Sequence, residues 1–288
     1  DLILNGGTLT KAVTGAGTTS ITGAVTANSA ISQTISISSS GDLTANAGNI
    51  GGAVTNAGDL ILTGGTLSKS VSGAGLTTIT GNTTNSAGIN QGVKVNSGIT
   101  LTNNAALGSA SGSVTNAGTI NSSADNIKGT VSNTGSLNLS GGTLSKAVSG
   151  SGKTTITGNT TNSGGINQGV TVNSGVTLTN NAALGSDSGT ITNSGTINTS
   201  ASNIKGAVTN NNTVNLSGGT LSKAISGSGT TNITGIVSSN SAISQAISIA
   251  SAGDLTISAS NVGGNVTNAG DLILNGGTLT KAVTGAGT

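Results

Sequence analysis

The chain has 288 residues with 49 Gly, a net charge of +2, and no Pro, Cys, Met, His or aromatic residue. General acid–base chemistry draws on His, Glu, Asp, Lys, Tyr and Cys converging in a pocket, and only Asp and Lys of that set occur, spread thinly along the chain. Zinc sites lack their Cys and His ligands, stacking platforms for bases or sugars lack rings, and so small a charge excludes an electrostatic nucleic-acid interface.

No run of 18 apolar residues offers a membrane-spanning segment, and no signal-peptide pattern is present. Absence of Cys fits a secreted bacterial surface protein and a cytosolic protein alike. High Gly, Ser, Thr and Asn with little charge also fits a disordered tether, so the choice rests on whether the sequence keeps a register.

It does. The hexamer GGTL[ST]K begins at Gly6, Gly64, Gly141, Gly218 and Gly276, at intervals of 58, 77, 77 and 58 residues. The difference between those intervals suggests blocks of three and four coils of about 19 residues. Cutting at recurrent glycines, from Gly17, Gly41, Gly58, Gly75 and Gly98 onward to Gly287, gives coils of 17, 20, 23 or 24 residues, with Asn212 the one boundary that is not Gly. Gly and Asn tolerate positive φ most cheaply, so each boundary is expected to be a tight left-handed corner.

The 17-residue coils align without gaps. Their third position holds Leu2, Leu43, Leu60, Ile120, Leu137, Ile197, Val214, Leu255 and Leu272. Their tenth and fourteenth are branched aliphatics too, as in Leu9 and Val13, Ile50 and Val54, or Leu67 and Val71. A disordered tether has no reason to keep that register. Alternation around these positions, as in Leu137-Asn138-Leu139, predicts short strands, two or three per coil, separated by Gly-rich corners. The longer coils keep matching aliphatics at Ile21, Ile79, Ile156 and Ile233 and at Ile31, Ile89, Ile166 and Ile243, followed by Gln33, Gln91, Gln168 or Gln245. Their additional residues, for example Asn82 to Gly88, are expected to protrude as a loop.

The fold expected is all-β: a single-stranded parallel β-helix (β-solenoid) of about 14–15 coils of 17–24 residues. Residues 271–288 are identical to 1–18, so the period is 270 residues. One continuous solenoid over 1–288, a window of a longer repetitive chain, is the expected organisation, and neither end carries an atypical capping coil.

Recurrent polar residues have structural explanations. Asn56, Asn96, Asn116, Asn133, Asn173, Asn193, Asn210 and Asn268 precede coil boundaries by two residues, which predicts internal amide ladders. Lys11, Lys69, Lys146, Lys223 and Lys281 recur three or four coils apart, too far to act together across salt water, and serve solubility. Asp42, Asp59, Asp254 and Asp271 follow a corner Gly and are expected to cap turns through Asx hydrogen bonds. The calcium nonapeptide GGxGxDxUx and the phosphate loop GxxxxGK[ST] are both absent. No catalytic, cofactor-binding or metal residue, and no cofactor, is assigned.

The units GGTLTKAVTGAGTTSITG, with joins such as TNAGDL and TNSGTIN, resemble passenger regions of bacterial autotransporters and filamentous-haemagglutinin-type β-helical adhesins. The resemblance covers the whole chain and is one of repeat style. It implies a right-handed helix, secretion from a Gram-negative type cell, and a place in adhesion or surface filaments. The function expected is therefore an extracellular filament or stalk of an adhesin or biofilm-type surface protein, without catalysis. Its partners would be copies of itself, end to end or side by side, or a host or cell surface, and not nucleic acid. An alternative is an ice- or crystal-surface-binding solenoid using Thr18-Thr19, Thr77-Thr78, Thr154-Thr155 and Thr230-Thr231. A pectin-lyase-type enzyme would share the architecture but needs Arg and other converging groups that the chain lacks.

Overall fold

The computed structural model describes residues 1–288. The chain is a parallel β-solenoid of about 17 turns, its only helical pieces being short 3-10 turns. Two compact units, 1–138 and 139–288, are built on the same plan.

In each unit the chain runs round three faces per turn, contributing one short strand or bridge to each. In the first unit, one face stacks Leu2, Thr19, Ile35, Val54 and Val71. The next stacks Gly7, Val25, Leu43, Leu60 and Thr77. A third carries bridges Val13 to Ile31 to Ile50 and the stack Gly65, Thr83, Leu101 and Ile120. The ladders of these stacks are parallel and in register, so alternate side chains point in and form one column of core per face. Leu43, Leu60, Leu101, Ile120 and Val71 are wholly buried. Branched aliphatics fill these columns because a β-branched side chain packs well on the pleated surface of the rung below.

The second unit repeats the plan. Its longest stack runs Gly142, Thr160, Leu178, Ile197, Val214, Thr231, Ile247, Val266 and Val283. Four 3-10 turns, at Ala47–Asn49, Ala124–Asn126, Ala201–Asn203 and Ala259–Asn261, carry the chain round a corner with a buried Ala each. Asn46 shows why the run is helical there: its side chain accepts the Gly48 N–H at 2.9 Å, satisfying one donor the short turn leaves free.

The longer segments depart from expectation. They do not throw out a loop. Residues 83–85 form a strand, paired to Gly65–Leu67 on one side and Leu101–Asn103 on the other. Each long segment supplies four face contributions instead of three. In 17–40 these are the strands Thr18–Ile21, Ala24–Ala27 and Thr34–Ile37 plus the bridging Ile31. Thr19 therefore stacks directly on Ile35 of its own segment. A fourth contribution advances the repeat by one face. Leu2 and Leu43 hold the same place in the sequence repeat, yet Leu2 stacks with Thr19 while Leu43 stacks with Val25. The turns consequently outnumber the glycine-bounded coils.

The glycine corners also differ from expectation. Of the boundary residues only Gly17, Gly98 and Gly175 take positive φ, at 125°, 76° and 74°. Most of the others are glycine because the backbone of the preceding turn sits against them, Asn212 being the one that carries a side chain. A Cβ on Gly58 would lie 2.1 Å from the Gly41 carbonyl oxygen, and one on Gly75 2.2 Å from that of Gly58. Close stacking of backbone, and not a left-handed corner, selects glycine there.

Candidate functional site: polar ladders and grooves

Buried polar residues occupy places where the chain changes face. Asn56, Asn116, Asn133, Asn193, Asn210 and Asn268 are interior, as the ladder reading expects. Asn116 Nδ2 donates to Asn133 Oδ1 at 2.7 Å and to the Ser136 carbonyl at 2.9 Å, while its Oδ1 accepts the Gly118 N–H. Asn193 and Asn210 repeat the arrangement, with Asn193 Nδ2 at 2.7 Å from Asn210 Oδ1. Two further rungs, Asn85 to Asn103 at 2.7 Å and Asn162 to Asn180 at 2.6 Å, were not singled out by spacing. Asn96 and Asn173 are not ladder members: the first is half-buried and the second exposed. The ladders satisfy corner carbonyls and amides that water cannot reach.

The four Gln of the long segments have a defined task. Gln33 accepts from the Thr19 hydroxyl at 2.9 Å, and Gln91, Gln168 and Gln245 donate to Thr77, Thr154 and Thr231 at 2.8, 2.6 and 2.7 Å. Each pair is buried and joins the first strand of a long segment to its last. It ties together the overlap that advances the repeat by one face. The same bonds remove one member of each Thr pair from the surface, because Thr19, Thr77, Thr154 and Thr231 point inward.

Charged groups do not converge. No three Asp, Glu, His or Cys approach as metal ligands would. Asp42 stacks on Asp59, and Asp254 on Asp271, as isolated pairs at the strand starts. The expected Asx caps are replaced, where a carboxylate bonds at all, by contacts to the next turn. Asp1 Oδ1 accepts the Thr18 N–H at 2.9 Å, and Asp271 accepts the Thr288 hydroxyl. The recurrent Lys fall on different faces as the repeat rotates: in the second unit the GGTL strands Gly142–Leu144 and Gly219–Leu221 lie in separate sheets. An ion pair, Lys223 with Asp187, lies at the surface. There the hydrogen bond and charge of Lys223 hold the Asp187 carboxyl below its usual range.

One surface feature escaped the sequence reading. On the longest stack of the second unit the outward row is Thr143, Thr161, Thr179, Asn198, Asn215, Asn232, Ser248, Thr267 and Thr284, without a charge. Asn232 Nδ2 donates to Asn215 Oδ1 at 2.8 Å, and Asn215 Nδ2 to Asn198 Oδ1 at 2.6 Å, forming an external amide ladder. Beside it runs a groove of about 530 Å³ between Thr179, Asn198 and Asn215 on one side and Ser200, Ser217 and Thr234 on the other. A smaller one of about 230 Å³ lies in the first unit against Thr44, Asn46, Asn49 and Thr63. The recurrence of T-x-[TN] at one place in TLTN, TINT, TVNL and TTNI was the available signal.

Three stacked faces, aliphatic columns within and polar ladders at the corners define a parallel β-solenoid with no converging reactive groups. No family model, no curated protein and no solved structure matches the chain.

Proposed function

We propose that the chain is a structural, non-catalytic segment of an extracellular bacterial filament or stalk, of the adhesin or biofilm-matrix kind. The observation that carries this reading is the return of the first eighteen residues after 270 in a chain whose turns stack rung on rung. Such an array gains stability from each neighbouring turn and extends without a new core. Thinly scattered charge and the absence of His, Cys, Glu, Arg and aromatic residues support a scaffold over an enzyme.

The ice-binding alternative loses support from the Thr pairs it rested on, since one Thr of each pair faces the core. Electron microscopy of the full-length product tests the proposal: unbranched thin filaments are expected, and separate globular particles would sink it.

A further inference from the structure

We infer that the corner grooves bind neutral polysaccharide chains. In the larger groove one wall is the external ladder of Asn198 and Asn215 with Thr179. Asn215 uses one N–H and its oxygen along the stack, and Asn198 uses its oxygen, so one N–H of Asn215 and the amide of Asn198 remain as donors toward the groove. The facing wall is Ser200, Ser217 and Thr234, and all three hydroxyls donate into backbone carbonyls, to Gly218 at 2.9 Å, Thr199 at 3.4 Å and Leu216 at 3.1 Å. Their oxygen lone pairs remain as acceptors. The groove thus offers amide donors at Asn198 and Asn215 and hydroxyl acceptors at Ser200, Ser217 and Thr234, on rungs about 4.8 Å apart.

A ligand for such a groove has to present hydroxyls that both donate and accept, at a short regular spacing. A carboxylate, sulfate or phosphate chain finds no cation there, and a metal ion finds no carboxylate. A flat ice plane does not enter a concave channel. An uncharged chain of sugars meets all these conditions. A smaller polar groove lies at the same point in the first unit, the exit of a strand into a 3-10 turn, where Thr44, Asn46 and Thr63 line it without an amide ladder. Without aromatic rings each groove binds weakly, and affinity for a long glycan comes from many grooves engaged at once.

The test is titration of the 288-residue chain with a soluble unbranched β-glucan, with heparin as the anionic control. Saturable glucan binding is expected, with perturbation of the Asn198 and Asn215 side-chain amide signals by NMR and no comparable response to heparin. The variant Ser200→Lys/Ser217→Lys, which fills the wall with long cationic side chains, should weaken glucan binding at least tenfold while retaining the wild-type circular dichroism spectrum. Should that variant not fold, the amide perturbation in the unmodified chain decides alone. Glucan binding that leaves those amide signals unmoved, preference for heparin, or absence of glucan binding would each overturn the assignment. None of these results bears on whether the chain forms filaments.

Discussion

At the scale of single residues, the polar groups inside either satisfy corner backbone or lock the overlap of a long segment. The Thr154–Gln168 bond spans the first and last strands of one long segment, and both side chains are buried. Replacing Gln168 by Leu strands the Thr154 hydroxyl in the core, which costs about 1–3 kcal/mol. The double variant T154V/Q168L removes both groups and should recover most of that loss, since Gln168 Oε1 already lacks a partner. Urea denaturation of the two variants measures the difference, and an equal loss in both would contradict the role given to the pair. Glycines make a second contrast. Ala at Gly58 would press its Cβ to 2.1 Å from backbone, whereas at Gly98 the space is empty and only the φ of 76° resists. G98A should cost about 1–2 kcal/mol, and G58A clearly more because the neighbouring turn has to move. Sequence spacing identified both glycines, but it could not say which reason applied, because the contact that decides Gly58 is made by the preceding turn.

Among the elements, the 17-residue coils were legible and the long segments were not. Leu60, Leu67 and Val71 stand at the third, tenth and fourteenth positions of one coil, and all three are fully buried on successive faces. Period-2 alternation and unbroken alignment carried that result. In the long segments, alignment on glycine counts the added residues as length and cannot see that they pair. Thr83–Asn85 is a regular strand bonded on both sides, and the Gln that follow were visible while their Thr partners, fourteen residues earlier, needed the rungs to be recognised. The external Asn ladder was missed for the same reason: its members are separated by whole turns. A direct check uses the absence of native Cys. Thr84 and Thr102 are direct outward neighbours on adjacent strands, within reach of a disulfide. The variant T84C/T102C should oxidise to a cross-linked species readily seen by its gel mobility. A protruding loop over 82–88 would leave both thiols free.

Over the whole molecule, repetition is the organising fact. Charge contributes little, so stability should be nearly constant from about pH 5 to pH 9. Asp187 shows the sign. Lys223 lowers its folded pKa, so its contribution is present above the unfolded carboxylate range and disappears as pH falls through the folded value. With the Asp187 side chain 90% exposed, the pair is screened by water, and K223A should leave the urea midpoint at pH 7 unchanged. A steep loss of stability between pH 9 and pH 5 would contradict this.

The 270-residue period also makes the filament proposal quantitative. A repeat of 270 residues at roughly 17–18 residues per turn is about 15 turns, and turns rise by about 4.8 Å. Contour lengths of polypeptides carrying one, two and three repeats, measured by negative-stain electron microscopy, should increase by about 70 Å with each repeat at constant width. Particles that grow in diameter instead, or that keep one length whatever the number of repeats, would contradict it.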